Sequence, residues 1–212
     1  EFYSLRDALY VASVLNIFIR HADRVTMANM AQLVNVIAPI FATAKASYRQ
    51  PIFFPLAAYR RQHQTIALDA WVEGPTLAVT DELESAQRTK YQTEIPSHWR
   101  DLGWDTGRHA RRWPDHWIGR EFPILDAAAT RSADGRWMTV SLVNRHETEP
   151  LEVELDLWDY QPLGGTTTLI TGPQPMGYML TAAGPNIADN DYNEEACTVR
   201  ETALDRPAAK ST

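Results

Sequence analysis

The stretch from Asp23 to Ile40, DRVTMANMAQLVNVIAPI, constrains the fold of this chain more than any other. No charged side chain occurs between Arg24 and Lys45, so an extended element here would have both faces covered by protein. Parallel sheets of α/β folds contain strands of this kind. We therefore predict a buried strand from Val25 to Met30, with Gln32 at its carboxyl end. A turn that ends at Pro39 follows the strand.

Among the amide side chains that interrupt the apolar stretch are Gln32 and Asn35. A buried polar group without a partner costs about 1–3 kcal/mol, so each amide needs hydrogen bonds. Two interpretations follow: the amides hold neighbouring loops in place, or they face a pocket. We interpret Asn35 as support for the loop.

Five segments of the chain resemble segments that occur in the same order in one known family: DALYVASVLNIFIR, HADRVTMANMAQLVNVIAPI, IFFPLAAYRR, ALDAWVEGPT and VSLVNRHETEPLEVELDL. The chain is similar, over most of Asp7 to Leu157, to the carboxyl-terminal portion of glycoside hydrolase family 51 α-L-arabinofuranosidases. The resemblance implies that the predicted strand is the eighth of a (β/α)₈ barrel and that Gln32 contacts the bound arabinofuranose. Active sites of such barrels lie at the carboxyl ends of the strands, which agrees with this placement.

The expected fold class is α/β plus all-β: the last strand and flanking helices of a (β/α)₈ barrel, then a jelly-roll-like antiparallel β-sandwich. We place the barrel end at residues 1–64 and the sandwich at 65–212, with an irregular insertion at about 81–121. The helical period predicts a helix from Leu5 to Ile19 and a second one from Leu56 to Gln62 that Pro55 begins.

The sandwich is predicted from period-two patterns and turn signals. The strongest is a hairpin of strands 124–130 and 137–144 around Ala133-Asp134-Gly135, because Asp-Gly accepts positive φ values. Further strands are expected from Thr65 to a stop at Gly74-Pro75, at 151–157 with an acidic, solvated face, at 166–171, and more weakly at 177–181 and 197–201. The tail 202–212 shows no strand pattern.

The insertion contains tryptophans, arginines and histidines. One interpretation is a sugar-contacting lip, because an indole packs on the apolar face of a sugar ring. The alternative is a segment that its aromatics fold back on the sandwich. The spacings of His98, His109 and His116, eleven and seven residues, match no zinc-ligand pattern, so we expect no metal and no other cofactor.

Composition limits the partners and the compartment. The formal net charge of −7 disfavours nucleic acid and anionic membranes. The single cysteine, Cys197, fits a reducing compartment, and we expect a cytoplasmic protein whose full-length form is a homo-oligomer. The chain starts without methionine or a signal-peptide pattern, which we interpret as a fragment.

The resemblance implies a retaining enzyme that uses two glutamates, in Asn-Glu and Glu-Trp contexts. Neither context precedes Gln32, so no catalytic residue is assigned and the chain alone is expected to be inactive. Asp23, Asp69 and Glu73 are interpreted as structural. The expected function is part of an α-L-arabinofuranosidase acting on arabinose-containing oligosaccharides or polysaccharides. The alternatives are a non-catalytic carbohydrate-binding module and an interface piece.

Overall fold

The computed structural model describes residues 3, 5–44, 47–86, 118–146, 149–171 and 198–204. Within these ranges no helix has the length and apolar character needed to cross a membrane. A short helix at 81–86 accompanies the main elements. These are α1 Leu5–Arg20, β1 Ile40–Ala42, β2 Ser47–Arg49, α2 Phe53–Gln62, β3 Ile66–Leu68, β4 Thr76–Ala78, β5 Glu121–Pro123, β6 Leu125–Arg131, β7 Met138–Asn144, β8 Gly165–Thr171 and β9 Thr198–Leu204.

The sheets formed by the described strands are antiparallel. The largest has the order β3-β6-β7, with β6 in the centre, and three two-stranded ribbons pair β1 with β2, β4 with β5, and β8 with β9. This arrangement of antiparallel sheets with packed helices is consistent with the expected β-sandwich. The domain boundary at residue 64 stays a prediction.

The hairpin between β6 and β7 confirms the strongest turn signal of the sequence. Arg131 pairs with Met138 at its end, and Gly135 has φ of 70°, which glycine adopts without steric cost. The carboxylate of Asp134 accepts hydrogen bonds from the Ser132 hydroxyl at 2.6 Å and from the Arg136 amide at 3.1 Å. Local side-chain bonds of this type stabilise turns.

Helix α1 packs against the three-stranded sheet and α2. It confirms the predicted helix and extends it by one residue. Its buried residues are Ala8, Ala12 and Asn16, spaced by four, and the facing strand β6 buries the alanines at 127–129. Small side chains on both elements allow the helix to pack closely on the sheet.

The prediction of a buried strand from Val25 to Met30 is wrong for this structure. Residues 26–34 are exposed and belong to no named strand, with Met27 76% and Leu33 62% exposed. A strand is stable only beside a hydrogen-bonded neighbour. Among the described residues, none pairs with 25–30, although Val34 forms an isolated parallel bridge to Ile40. We refer to residues 25–34 as the Gln32 segment.

Two other boundaries differ from the expected ones. Helix α2 begins at Phe53, so Pro55 lies in its first turn and is not its first residue. Proline is tolerated there because the first amides of a helix have no partner within it. The strand expected from Thr65 to Gly74-Pro75 is shorter in the structure and is limited to β3, which pairs with β6. Strand β4 begins after this turn and pairs with a different partner, β5.

The segment 151–157 is not a strand, although its acidic face is solvated as expected. Glu152, Glu154 and Asp156 are exposed, whereas Leu151 and Val153 are half-buried. Leu155, which the alternation predicted to be buried, is 49% exposed. Alternation alone therefore predicted the exposed acidic side chains, but neither a fully covered apolar face nor a hydrogen-bonded ladder. The strand expected at 166–171 is confirmed as β8. Its partner β9 includes residues 202–204, which corrects the expectation of a tail without strand structure.

Strands β4 and β5 bring the two ends of the insertion together. The Val79 amide donates to the Arg120 carbonyl and the Gly119 amide donates to the Val79 carbonyl, both at 2.8 Å. Residues 87–117, which include the tryptophans and histidines of the insertion, lie outside the described residues, as do the expected strand 177–181 and Cys197.

Candidate functional site

Gln32 lies on the exposed Gln32 segment, which leaves helix α1 through a short turn. The His21 carbonyl in this turn accepts hydrogen bonds from the amides of Arg24 at 2.9 Å and Val25 at 2.8 Å. From there residues 26–32 are exposed and belong to no helix or strand. The structure therefore presents this amide at the surface of the described residues, with apolar neighbours Met30 and Leu33 that are also exposed.

Asn35 holds the turn that follows Gln32. Its φ is 62°, a left-handed conformation that asparagine adopts more readily than most residues. The backbone amide of Asn35 donates to the Ile40 carbonyl at 2.8 Å, and the side-chain oxygen of Asn35 accepts from the backbone amide of Ala42 at 2.7 Å. The interpretation of Asn35 as loop support is confirmed.

Gln50 is a second amide that holds this loop, and sequence reasoning missed it. Its side chain is fully buried. The side-chain nitrogen donates to the Ala38 carbonyl at 2.7 Å, and the side-chain oxygen accepts from the Tyr3 amide at 3.2 Å. Both side-chain groups thus have partners, as burial requires. Its place before Pro51 gives no sequence signal that distinguishes it from a surface glutamine.

A buried polar cluster joins α1 and α2 to the three-stranded sheet. We call it the Asp126 cluster; its members are Asn16, Arg20, Tyr59, Asp126, Ser141 and Arg145. Asn16 is fully buried, and Asp126 is 6% exposed. Sequence reasoning missed this cluster too, because its members lie in five separate elements or turns, up to 129 residues apart, and no local pattern marks them.

Asp126 is the negative centre of the cluster. Its carboxylate accepts hydrogen bonds from Arg20 Nη1 at 2.8 Å and from Asn16 Nδ2 at 2.9 Å, and it forms an ion pair with Arg145 Nη2 at 3.2 Å. The same Arg20 nitrogen also donates to the Ala127 carbonyl at 2.6 Å. Two cations and an amide therefore compensate the cost of burying this carboxylate.

The oxygen of the Asn16 amide accepts two hydroxyl hydrogen bonds, from Tyr59 at 2.6 Å and from Ser141 at 2.5 Å. Burial raises the pKa of Tyr59 to about 12, and the Asp126 charge acts in the same direction against the opposing effects of Ser141 and Arg20. The hydroxyl is consequently a neutral donor throughout the ordinary pH range.

His63 extends this polar region along α2. Burial lowers the pKa of His63 to about 4, because the apolar surroundings disfavour the charged ring. Its Nδ1 lies 3.0 Å from the Thr130 hydroxyl, which also accepts from the Gln64 amide at 2.8 Å. A neutral ring that accepts from Thr130 fits these contacts.

The carboxylates that the sequence analysis set aside are not brought together. Asp23 is 69% exposed and lies 3.4 Å from Arg24, and Asp69 and Glu73 are exposed on the connection between β3 and β4. Among the described residues, no group of three or more His, Cys, Asp or Glu side chains is placed to hold a metal ion.

The fold is found in solved glycosidases of one class. The chain is similar to a family 51 α-L-arabinofuranosidase from Bifidobacterium longum, with a TM-score of 0.61 and 23% identity, covering 97% of this chain and 30% of that one. It is also similar to the family 51 enzyme from Thermotoga petrophila, with a TM-score of 0.62 and 19% identity, covering 96% of this chain and 35% of that one. At these identities the likeness establishes the fold.

The model of the α-L-arabinofuranosidase C-terminal domain matches residues 1–197, and this chain belongs to that family. It is 29% identical over 162 residues to an intracellular exo-α-(1→5)-L-arabinofuranosidase of Halalkalibacterium halodurans, covering 76% of this chain and 25% of the relative. It is 30% identical over 176 residues to α-L-arabinofuranosidase C of Emericella nidulans, covering 82% of this chain and 28% of the relative. The chain thus spans about a quarter of the length of these two relatives.

Proposed function

We propose that this chain is the carboxyl-terminal part of a retaining α-L-arabinofuranosidase. The enzyme would release terminal non-reducing α-L-arabinofuranosyl residues from arabinan, arabinoxylan or their oligosaccharides. Family membership and the names of the relatives support the reaction class. The intracellular relative supports a cytoplasmic enzyme. A homo-oligomeric full-length form, with no nucleic-acid or membrane partner, completes the proposal.

The observation that carries the proposal is the Gln32 segment itself. It is largely apolar and exposed, and hydrogen bonds hold both of its ends. Apolar side chains that are exposed in this way are suited to be covered by a partner, here by neighbouring strands. We place it as the last strand of a (β/α)₈ barrel formed by residues 1–64 together with the preceding part of the enzyme, with residues 65–212 as the sandwich.

In that barrel Gln32 would bind the sugar. An amide side chain donates and accepts at once, so it matches the hydroxyl groups of an arabinofuranose ring. Two glutamates outside this chain would act as nucleophile and acid/base. Gln32 would orient the ring between them, and the chain alone would bind weakly and hydrolyse nothing.

Substitution of Gln32 in the full-length enzyme tests this role. We expect Gln32→Ala to lower kcat/KM on an aryl α-L-arabinofuranoside at least tenfold, about 1.4 kcal/mol of transition-state binding. Gln161→Ala is the matched control, because Gln161 is also an exposed glutamine but lies after the 151–157 segment. Equal kinetics for both variants and the parent would contradict the proposed role of Gln32.

A non-catalytic carbohydrate-binding module is the second candidate. The exposure of Trp71, 87%, and of Trp158, 91%, favours it, because exposed indoles can stack on sugar rings. The two candidates differ in the behaviour of the chain without the rest of the barrel. Saturable quenching of its tryptophan fluorescence by arabino-oligosaccharide would support the module.

A further inference from the structure

The carboxylate of Asp126 connects three parts of the chain. One oxygen accepts a hydrogen bond from Arg20 at the end of α1; the other accepts one from Asn16 in α1 and forms an ion pair with Arg145 directly after β7. Arg145 also donates through Nη1 to the Pro123 carbonyl at 3.3 Å. The last turn of α1 is therefore held on the central strand of the sheet by charged hydrogen bonds, which are stronger than neutral ones.

The turn after Arg20 continues directly into the Gln32 segment. The His21 amide donates to the Ile17 carbonyl at 3.0 Å, so this residue still belongs to the helical hydrogen-bond pattern. The His21 carbonyl in turn accepts from the Val25 amide at 2.8 Å. Hydrogen bonds thus lead from Asp126 through the end of α1 to the first residue of the Gln32 segment.

The opposite end of the segment has its own support. The side-chain oxygen of Asn35 holds the Ala42 amide, and Gln50 holds the Ala38 carbonyl. Between these supports, residues 26–34 are exposed. The place of Gln32 within this chain is consequently determined by where the two ends are held.

We propose that Asp126 is a positioning residue. By holding the last turn of α1 on β6, it fixes the start of the Gln32 segment and thereby the place of the Gln32 amide. This inference rests on the proposed function of Gln32 in sugar binding. It assigns the sheet a part in positioning a binding residue that lies outside the sheet.

Hydrogen exchange of the full-length enzyme tests the positioning directly. We expect Asp126→Asn to accelerate amide exchange in residues 21–34 about fivefold or more, within the range of long-range coupling energies. The matched control is Asp134→Asn, the same substitution in the β6–β7 turn, which should leave exchange in 21–34 unchanged. Unaltered exchange in Asp126→Asn, or an equal change in the control, would overturn the proposal.

A double-mutant cycle tests whether the effect acts through Gln32. We expect Asp126→Asn to lower kcat/KM about fivefold in the parent and to have little effect in the Gln32→Ala background, because coupled residues are not additive. The same factor in both backgrounds would overturn the proposal. Should Gln32→Ala alone leave kinetics unchanged, the binding role of Gln32 fails, whereas the exchange result still decides whether Asp126 positions the segment.

Arg20→Lys serves if Asp126→Asn does not fold. It keeps the positive charge but cannot reproduce the guanidinium that contacts both Asp126 and the Ala127 carbonyl. We expect faster exchange in residues 21–34 and a smaller loss of kcat/KM in the same direction. Exchange and kinetics equal to those of the parent would contradict the positioning role.

Discussion

The Asp126 cluster and the Gln32 segment both depart from the usual pattern of polar side chains outside and apolar side chains inside. The cluster buries charged and polar groups, and each has a partner from within this chain. The segment exposes methionine, leucine and valine side chains instead. Among the described residues, the polar groups between the helices and the sheet are thus matched by partners from the same chain, whereas the Gln32 segment has an apolar surface suited to a partner, as the proposed barrel requires.

The largest effect is expected from Asp126→Ala, which would leave Arg20 and Arg145 side by side without their carboxylate. Removing one partner of a buried ion pair costs about 3 kcal/mol or more. Urea unfolding of the chain measures this loss. Asp159→Ala, at an exposed aspartate, should stay within about 0.5 kcal/mol of the parent. A similar small change for Asp126→Ala would show that the cluster is not a stabilising contact.

A smaller, pH-dependent effect is expected from Tyr59→Phe. The variant loses the hydrogen bond to Asn16, about 1 kcal/mol at neutral pH. An unfolded tyrosine loses its proton near pH 10, whereas burial raises the pKa of Tyr59 to about 12 in the folded chain. The stabilisation by the neutral hydroxyl is therefore complete below pH 10 and is lost as the pH rises toward 12.

Unfolding free energies of parent and variant between pH 8 and about 12 check this, since other tyrosines titrate equally in both proteins. The difference between the two should shrink above pH 10. A constant difference across the range would mean that Tyr59 titrates as an exposed phenol and that the cluster is open to water.

The smallest effect is expected in the Gln32 segment. Met27 is 76% exposed, so Met27→Ala should change the unfolding free energy of this chain by less than about 0.5 kcal/mol. Ile52→Ala is the comparison, because Ile52 is 2% exposed and should lose about 2–5 kcal/mol. In the full-length enzyme we expect Met27→Ala to become destabilising; equal, negligible effects in both forms would contradict the proposed partner strands.

Local patterns predicted the elements that depend on neighbouring residues. The α1 period and the Asp-Gly turn gave a helix and a hairpin at nearly the observed positions, because caps, turns and side-chain spacing are local properties. The strand predictions for 25–30 and 151–157 were wrong because strand formation depends on residues elsewhere in the chain. A strand exists only when a second segment pairs with it, and no pattern within seven residues specifies that partner.

The residues of the candidate site likewise fall into those that local sequence marks and those that only the packing brings together. Gln32 and Asn35 stand out because amides are unusual in an apolar stretch, and the loop role of Asn35 followed from that. Asn16, Asp126 and Gln50 could not be found in this way. Asp126 precedes a run of alanines that is typical of an ordinary strand, and its partners on α1, Arg20 and Asn16, are 106 and 110 residues away. Only the packing of α1 on β6 makes them neighbours.

The hydrogen bonds between Val79, Gly119 and Arg120 have a consequence for how the family can vary in length. They close the sheet at the two ends of the insertion, so the cost of a longer intervening chain is only that of a larger loop. That cost rises by about 0.6 kcal/mol for each doubling of loop length. Evolution can therefore lengthen, shorten or replace the sequence between β4 and β5 while the pairing of these strands, and the support of α1 by the sheet, is kept.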